Sequence, residues 1–138
     1  MSTIYKSKQA KINIMVLYDE KLESLNIEYV EIDIETQFGR TNVIKTGNPN
    51  GKPTILFPGF SARAPLTLEA IVALRHTYLL FAVDTIGEAT KSAETKMNIK
   101  DDSYGLWVNE FIEKLDLNDA NVIGISYGAF IVQKLNYA

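Results

Sequence analysis

The sequence predicts an α/β fold in which a mixed, mostly parallel sheet of about five strands is flanked by helices. Short apolar runs without alternation, typical of strands buried on both faces, alternate with helical stretches in the second half of the chain. Before them, apolar and charged residues alternate, as they do in an antiparallel hairpin with one solvated face. Strands joined through helices form crossover units and hence a parallel sheet, and the hairpin makes that sheet mixed.

The amino-terminal part is predicted to form a helix and then the hairpin. A helix over residues 15–25 is indicated by apolar side chains at spacings of three and four, namely Met15, Tyr18, Leu22 and Leu25. The period changes to two at Val30, which predicts strands at 30–35 and 41–46 with a turn at 37–40. The Gly, Asn and Pro residues from Gly47 to Pro53 predict a surface loop.

The remainder of the chain is predicted to alternate between buried strands and helices. The apolar runs predict strands at 54–57, 78–83 and 122–125. Helical spacing predicts helices at 66–75 and 103–115 and a last helix from Tyr127 onward, and Asp101, Asp102 and Ser103 offer a cap for the second of these. The polar stretch 87–100 is predicted to be a loop.

Composition excludes several classes of function. The 138 residues fit one domain, which we predict to consist of an amino-terminal helix (1–26) and a sheet with crossover helices (27–138). The absence of cysteine and the single histidine, His76, exclude thiolate nucleophiles, cysteine–zinc sites and any site that needs two imidazoles. The net charge of −3 does not favour nucleic acid or an anionic membrane, and no apolar run could span a bilayer. We therefore expect a cytoplasmic protein without a metal, a cofactor, a nucleic-acid partner or a membrane.

A Gly-x-Ser-x-Gly motif, Gly124 to Gly128, lies between the last predicted strand and the last predicted helix. A serine on a sharp strand-to-helix turn projects its hydroxyl above the sheet, and the flanking glycines avoid collisions at the tight turn. The helix that follows directs free N–H groups at developing negative charge. Ser126 is therefore the candidate nucleophile. The alternative is a glycine-rich turn whose serine is structural.

A second feature agrees with a nucleophile at Ser126. The strand at 54–57 ends in Pro58-Gly59-Phe60, where a backbone N–H could face the same crevice. The N–H groups of Phe60 and Tyr127 would then form an oxyanion hole. Taken alone, Pro-Gly indicates only a turn.

These segments resemble the α/β-hydrolase superfamily, in particular its esterase-like serine hydrolases. The resemblance runs from the hairpin to the motif and includes the segments 56–60, 84–87, 91–92, 102–115 and 124–128. It implies an eight-stranded sheet of which this chain supplies the first five strands, Ser126 as nucleophile, and oxyanion donors at the N–H groups of Phe60 and Tyr127. It also implies a structural role for Asp84 and Gly87. The chain departs from the family at Pro58, where many members have histidine, and at Thr90, where glycine is frequent.

The other two members of a catalytic triad are not found in the sequence. In this fold an acid and then a histidine follow the serine, but residues 127–138 contain no Asp, Glu or His. His76 precedes the strand at 78–83, which places it about 20 Å from the crevice on strand geometry. The sequence thus predicts the amino-terminal half of a serine hydrolase that acts on a carboxylic ester or related acyl substrate through an acyl-serine, with the 138-residue chain alone inactive.

Two other functions remain open. The missing base and acid favour a non-catalytic, truncated remnant that serves as a binding or interaction module. A doubly wound nucleotide-binding domain would cradle phosphate at Gly124–Gly128, but neither dinucleotide-binding nor P-loop spacing is present. The expected partners are a small acyl substrate and, because the strand at 122–125 would be an unpaired edge, either a second copy of the chain or a complementary carboxyl-terminal half.

Overall fold

A computed structural model describes residues 4–59, 62–117, 119–126, 128–129 and 131–132. The strands are β1 (Tyr29–Thr36), β2 (Gly39–Gly47), β3 (Pro53–Phe57), β4 (Leu79–Val83) and β5 (Asn121–Gly124). The helices are α1 (Lys8–Ser24) before β1, α2 (Ala64–Ile71) between β3 and β4, and α3 (Ser103–Lys114) between β4 and β5. A 3-10 helix, Val72–His76, continues α2. After β5, residues 128–129 and 131–132 are helical.

The described residues form one five-stranded sheet with the order β1-β2-β4-β3-β5. The β1–β2 hairpin is antiparallel and β2 is antiparallel to β4, whereas β3 is parallel to both β4 and β5. Four of the five strands therefore point in the same direction, which confirms the predicted mixed, mostly parallel sheet. The carboxyl ends of β3, β4 and β5 lie side by side, and open α/β sheets bind their ligands outside these strand ends.

Helices cover both faces of this sheet, which explains the unbroken apolar runs of β3 and β4. On one face, Tyr18 and Leu22 of α1 and Leu68 of α2 pack against side chains of the central strands. On the other face, Trp107 and Phe111 of α3 do so. In β3 the side chains alternate between these two layers, as the period of two requires, with Ile55 and Phe57 facing α3 and Leu56 facing α1 and α2.

Several predicted boundaries were wrong. Helix α1 begins seven residues before the predicted start at Met15, because Ser7 caps it by accepting a 3.0 Å hydrogen bond from the Ala10 N–H. The first turns of α1 are mostly exposed, so they carry no apolar stripe. The predicted helix at 66–75 is an α-helix only to Ile71 and becomes a 3-10 helix beyond it.

Two predicted local features also differ. The hairpin turn is Gln37-Phe38 rather than 37–40, since Gly39 and Arg40 already belong to β2. Gly39 has φ of +122°, a conformation that favours glycine. At the start of α3, it is the Asp101 side chain that accepts a hydrogen bond from the Ser103 N–H (2.8 Å), while the side chain of the N-cap residue Asp102 makes no capping bond.

The segment between β4 and α3 contains neither helix nor strand, as predicted for 87–100, but its first part is packed rather than solvated. Thr85, Ile86, Thr90 and Ser92 are all buried. The Ser92 hydroxyl donates to the Asp84 carbonyl (2.7 Å) and accepts from the Asn42 N–H (2.9 Å), which fastens the segment to β2. None of the helices in the described part of the chain combines the length and apolarity needed to cross a bilayer.

Candidate active site

Ser126 lies on a sharp turn directly after β5. The Ile125 N–H still donates to the Phe57 carbonyl (3.1 Å), so the pairing with β3 continues to the residue before the serine. The Gly128 N–H then donates to the Ile125 carbonyl (2.9 Å) and the Ala129 N–H to the Ser126 carbonyl (3.0 Å). The chain thus passes from strand to helix within a few residues, and Ser126 is exposed at the apex.

The backbone at Ser126 is in the left-handed region, with φ of +54°. This conformation costs a residue with a side chain about 1–2 kcal/mol. Such strain persists only where the surroundings impose it, and it is concentrated at functional sites.

Neither glycine of the motif leaves room for a side chain. A Cβ on Gly124 would lie 2.7 Å from the Ala129 Cα, and a Cβ on Gly128 would lie 2.1 Å from the Phe57 carbonyl oxygen. Both distances are far below van der Waals contact, and the obstructing atoms are backbone. The turn can therefore close this tightly only with glycine at both positions, which is the geometry that the motif predicts.

In the loop after β3, Gly59 lies next to the turn at Ser126. A Cβ placed on Gly59 would lie 3.7 Å from the Ser126 Cβ and 3.6 Å from the Ile125 carbonyl oxygen. The Ala62 N–H, two residues before α2, donates to the Gly59 carbonyl (3.0 Å). Phe60 and Tyr127, whose N–H groups are the predicted oxyanion donors, lie outside the described residues.

His76 lies near the amino ends of the parallel strands, opposite to the end where Ser126 lies, and it is exposed at the end of the 3-10 helix. It comes before β4, whose first residue, Leu79, is level with Pro53, whereas Ser126 comes after Gly124, which is level with Phe57. Four residues of strand, about 13 Å, therefore separate the two levels even before the flanking residues are added. His76 is too distant to act as a base for Ser126.

Asp84 is a fully buried carboxylate at the carboxyl end of β4. Its Oδ1 accepts from the Ala64 N–H (2.8 Å), and its Oδ2 accepts from the Tyr18 hydroxyl (2.7 Å), the Asn42 amide (3.0 Å) and the Lys91 N–H (3.4 Å). Burial raises the pKa of Asp84 above its usual value, and these hydrogen bonds oppose the rise without cancelling it. The structural role that the resemblance implied is thus visible as four contacts from four segments.

The sequence did not reveal the partners of Asp84. Tyr18 was visible only as one position of a helical stripe, and Asn42 only as a residue of a strand. The Asn42 amide also contacts the Tyr18 hydroxyl (3.0 Å), so the three side chains form one buried cluster. Because the same strand also contains Thr41, Lys45 and Thr46, nothing in the sequence singled out Asn42 as a buried polar residue.

Lys91 covers this cluster from the solvent side. Its Nζ lies 4.5 Å from the centre of the Tyr18 ring and pairs with Asp19 (2.7 Å) and Glu31 (3.0 Å). Partial burial lowers the pKa of Lys91, but the hydrogen bonds to the two carboxylates outweigh it and the net pKa is raised. The lysine therefore connects α1, β1 and the segment after β4.

A cavity formed by described residues lies away from Ser126. It measures about 460 Å³ and is lined in part by Asn26, Arg75 and His76, at the edge of the sheet away from the motif. Its lining offers no activated nucleophile, so we place the candidate site by chemistry rather than by volume. Within the described ranges, His, Asp and Glu side chains form no group of three or more suited to a metal ion.

Known proteins with similar sequences are carboxylesterases. No protein-family model matches the sequence. The chain is 27% identical over 111 residues to an uncharacterized carboxylesterase, nap, of Bacillus subtilis, which covers 80% of this chain and 37% of that protein. Carboxylesterase YbfK of the same organism is also 27% identical over 111 residues, covering 38% of its length.

Solved structures show the same relationship. The naproxen esterase (carboxylesterase NP) of Bacillus subtilis superposes with a TM-score of 0.82 at 25% identity, covering 93% of this chain and 45% of that one. Carboxylesterase CesB of the same organism gives 0.82 at 26% identity with the same coverage. The chain thus spans about two fifths of the length of these relatives. Its sheet order, its strand–turn–helix motif and these similarities identify it as a partial member of the α/β-hydrolase superfamily.

Proposed function

We propose that the chain is part of a serine hydrolase that cleaves carboxylic esters, or related acyl compounds, through an acyl-serine at Ser126. The observation that carries the proposal is the position of Ser126, exposed and left-handed at the apex of the turn that follows β5. The glycines around it are imposed by backbone contacts, and Gly59 of the neighbouring loop approaches it. Its carboxylesterase relatives support the substrate class.

The reaction begins when the Ser126 oxygen attacks the carbonyl carbon of the ester while its proton passes to a general base. The carbonyl oxygen becomes negative in the tetrahedral intermediate, and the N–H groups of Phe60 and Tyr127 are proposed to stabilise it. Collapse of the intermediate expels the alcohol, which takes up the proton. Water, deprotonated by the same base, then hydrolyses the acyl-serine and releases the carboxylic acid.

We further propose that the base and its acid partner are supplied from outside residues 1–138. The position of His76 near the amino ends of the strands, away from Ser126, supports this, as does the lack of Asp, Glu and His in residues 127–138. A serine without a base is a neutral alcohol and a poor nucleophile. On this proposal residues 1–138 are a partial hydrolase domain, and they do not turn over substrate by themselves.

Imidazole in solution can replace the missing base, and this gives a direct test. The 138-residue chain is incubated with a fluorophosphonate probe at increasing imidazole concentration, and the labelled residue is located by peptide mass spectrometry. We expect labelling at Ser126 whose rate rises with the concentration of neutral imidazole. Ser126→Ala should abolish that labelling, while Ser24→Ala, which removes an exposed hydroxyl at the end of α1, should preserve it.

A folded chain that shows no imidazole-dependent labelling of Ser126 would refute the assignment of the nucleophile. That result would favour the alternative, a non-catalytic interaction module, because the motif would then be a structural turn. Labelling that Ser126→Ala does not remove would likewise place the reactivity elsewhere.

A further inference from the structure

The segment 58–63 connects β3 to α2, and its described residues, 58–59 and 62–63, are held at the two ends. At its start, the Phe57 carbonyl accepts from the Ile125 N–H (3.1 Å), which joins it to the turn that carries Ser126. At its end, the Ala64 N–H donates to Asp84 (2.8 Å). Gly59 lies between these two anchors, beside Ser126. The Ala62 N–H donates to the Gly59 carbonyl (3.0 Å), so Asp84 is connected through described residues to the glycine beside the serine.

Asp84 acts here as a cap supplied from a distant part of the chain. The N-cap residue of α2 is Arg63, whose side chain makes no capping bond. The first N–H groups of a helix have no partner within the helix, and a carboxylate is the strongest acceptor for them. The Asp84 carboxylate takes this role for the N–H of Ala64, the first residue of α2.

The orientation of that carboxylate depends on Tyr18. Its Oδ2 accepts from the Tyr18 hydroxyl at 2.7 Å, the shortest of the four hydrogen bonds to Asp84. Tyr18 is itself only 2% exposed, and Lys91 lies over its ring. The hydroxyl is thus held in place by the packing of α1 against the sheet.

We propose that Tyr18 is a positioning residue that acts through Asp84 and the Ala64 N–H on the segment 58–63, and so couples α1 to the surroundings of Ser126. The coupling deepens the proposed function and rests on it, since the segment is proposed to carry an oxyanion donor. Removing the hydroxyl leaves the carboxylate without its closest donor. The start of α2 and the segment before it then gain freedom, while the sheet keeps its pairing.

The test compares Tyr18→Phe with Tyr29→Phe. Both remove a phenolic hydroxyl that donates to a carboxylate, but the partner of Tyr29 is the exposed Glu23 at 3.1 Å, which is not part of the Asp84 cluster. Amide hydrogen exchange in the 138-residue chain is the first readout. We expect exchange at Ala64, Leu66 and Thr67 to accelerate about tenfold in Tyr18→Phe only, as loss of a hydrogen bond to a charged group implies.

The second readout is labelling of Ser126 by the fluorophosphonate probe in the presence of imidazole. We expect the maximal rate constant to fall about tenfold in Tyr18→Phe, because the donor segment is displaced, with the affinity for the probe unchanged. If the unsubstituted chain is not labelled, the proposed function fails, whereas the exchange measurement still decides whether Tyr18 positions the segment.

Three results would overturn the inference. The first is equal exchange at Ala64 in the two variants. The second is acceleration spread evenly over β3 and α3, which would make Tyr18 a residue of general stability. Unchanged labelling in Tyr18→Phe, when the unsubstituted chain is labelled, would likewise remove the link to Ser126.

Discussion

The hydroxyl oxygen of Tyr18 lies 2.7 Å from Oδ2 of Asp84, although the two residues belong to the first helix and to the loop after the fourth strand. The contact is buried and is shared with the side-chain amide of Asn42. A buried carboxylate is costly unless its oxygens are hydrogen-bonded, and here donors from α1, β2 and α2 contribute together. Helix α1 is therefore bound to the carboxyl end of β4, which is the end of the sheet where Ser126 lies.

Asp84 should make the stability of the chain depend on pH. Burial raises its pKa in the folded state above the usual 3.8, so over the interval between the two values the folded state binds the proton more than the unfolded state does. The contribution of Asp84 to the free energy of unfolding is therefore greatest below pH 3.8 and falls as pH rises through the folded pKa. Above that pKa it stays constant.

Comparison with Asp84→Asn isolates this effect, because other titrating groups are common to both proteins. We expect the free energy of unfolding of the unsubstituted chain, minus that of Asp84→Asn, to decrease between about pH 4 and the folded pKa in urea titrations. Asp33→Asn, at an exposed position of β1, serves as the control. A difference that stays constant with pH, or increases, would contradict the raised pKa.

Lys91 should contribute more to stability than an ordinary surface lysine. Its Nζ bonds to both Asp19 and Glu31, lies over the Tyr18 ring, and its side chain is only 22% exposed. We expect Lys91→Met to lower the free energy of unfolding by about 1–2 kcal/mol in urea titrations, since the two ion pairs and the cation–π contact are lost together.

Lys21→Met is the matched control. Lys21 forms one ion pair, with Glu69 at 3.0 Å, and both side chains are more than two fifths exposed. Exposed pairs of this kind contribute at most about 1 kcal/mol, so we expect a smaller loss than in Lys91→Met. Equal effects of the two substitutions would show that the Lys91 contacts do not act together.

Glycine at position 128 should be indispensable for the turn. In Gly128→Ala the new methyl group would lie 2.1 Å from the Phe57 carbonyl oxygen and 2.8 Å from the Pro58 carbonyl oxygen, and these backbone atoms cannot move aside as a flexible side chain could. We expect a loss of about 3 kcal/mol in the free energy of unfolding, at the upper end of overpacking effects. In Gly59→Ala the methyl group would make ordinary contacts at 3.6–3.7 Å, so we expect a change below about 0.5 kcal/mol. Similar losses for the two variants would contradict the tight closure at Gly128.

The strands and the turn at Ser126 could be predicted from the sequence because their signals are local. An apolar run such as Leu79–Val83 needs no distant information to indicate a buried strand, and the glycines at 124 and 128 meet constraints within one turn. Five strands and their crossover helices were therefore found, with boundaries wrong by one or two residues at most strand ends.

The polar cluster around Asp84 could not be predicted in the same way. Tyr18 is 66 residues from Asp84 and Asn42 is 42 residues from it, and only the folded sheet brings them together. The start of α1 was missed because its first turns are exposed and are specified by the Ser7 cap rather than by an apolar stripe. Both the cluster and the helix cap depend on individual side-chain hydrogen bonds, and the periodicity of apolar residues does not reveal these.

The open edge of β5 should associate with another polypeptide. Within the described residues β5 is an outer strand of the sheet. The Ile125 N–H points to β3, so by the alternation of a parallel strand the backbone groups of Val122 and Gly124 point away from it. The other outer strand, β1, carries Glu31, Asp33 and Glu35, and charge of this kind discourages pairing.

We expect light scattering at micromolar concentration to show self-association of the 138-residue chain, or a complex with a complementary half where one is supplied. Val122→Pro should weaken it, because proline removes a backbone N–H at the open edge while the bonds to β3 do not involve that group. Retained far-ultraviolet circular dichroism would show that the variant is folded. A compact monomer of the unsubstituted chain under these conditions would contradict the expectation. Association through β5 would also bring new residues next to Ser126, which is where the proposed external base would act.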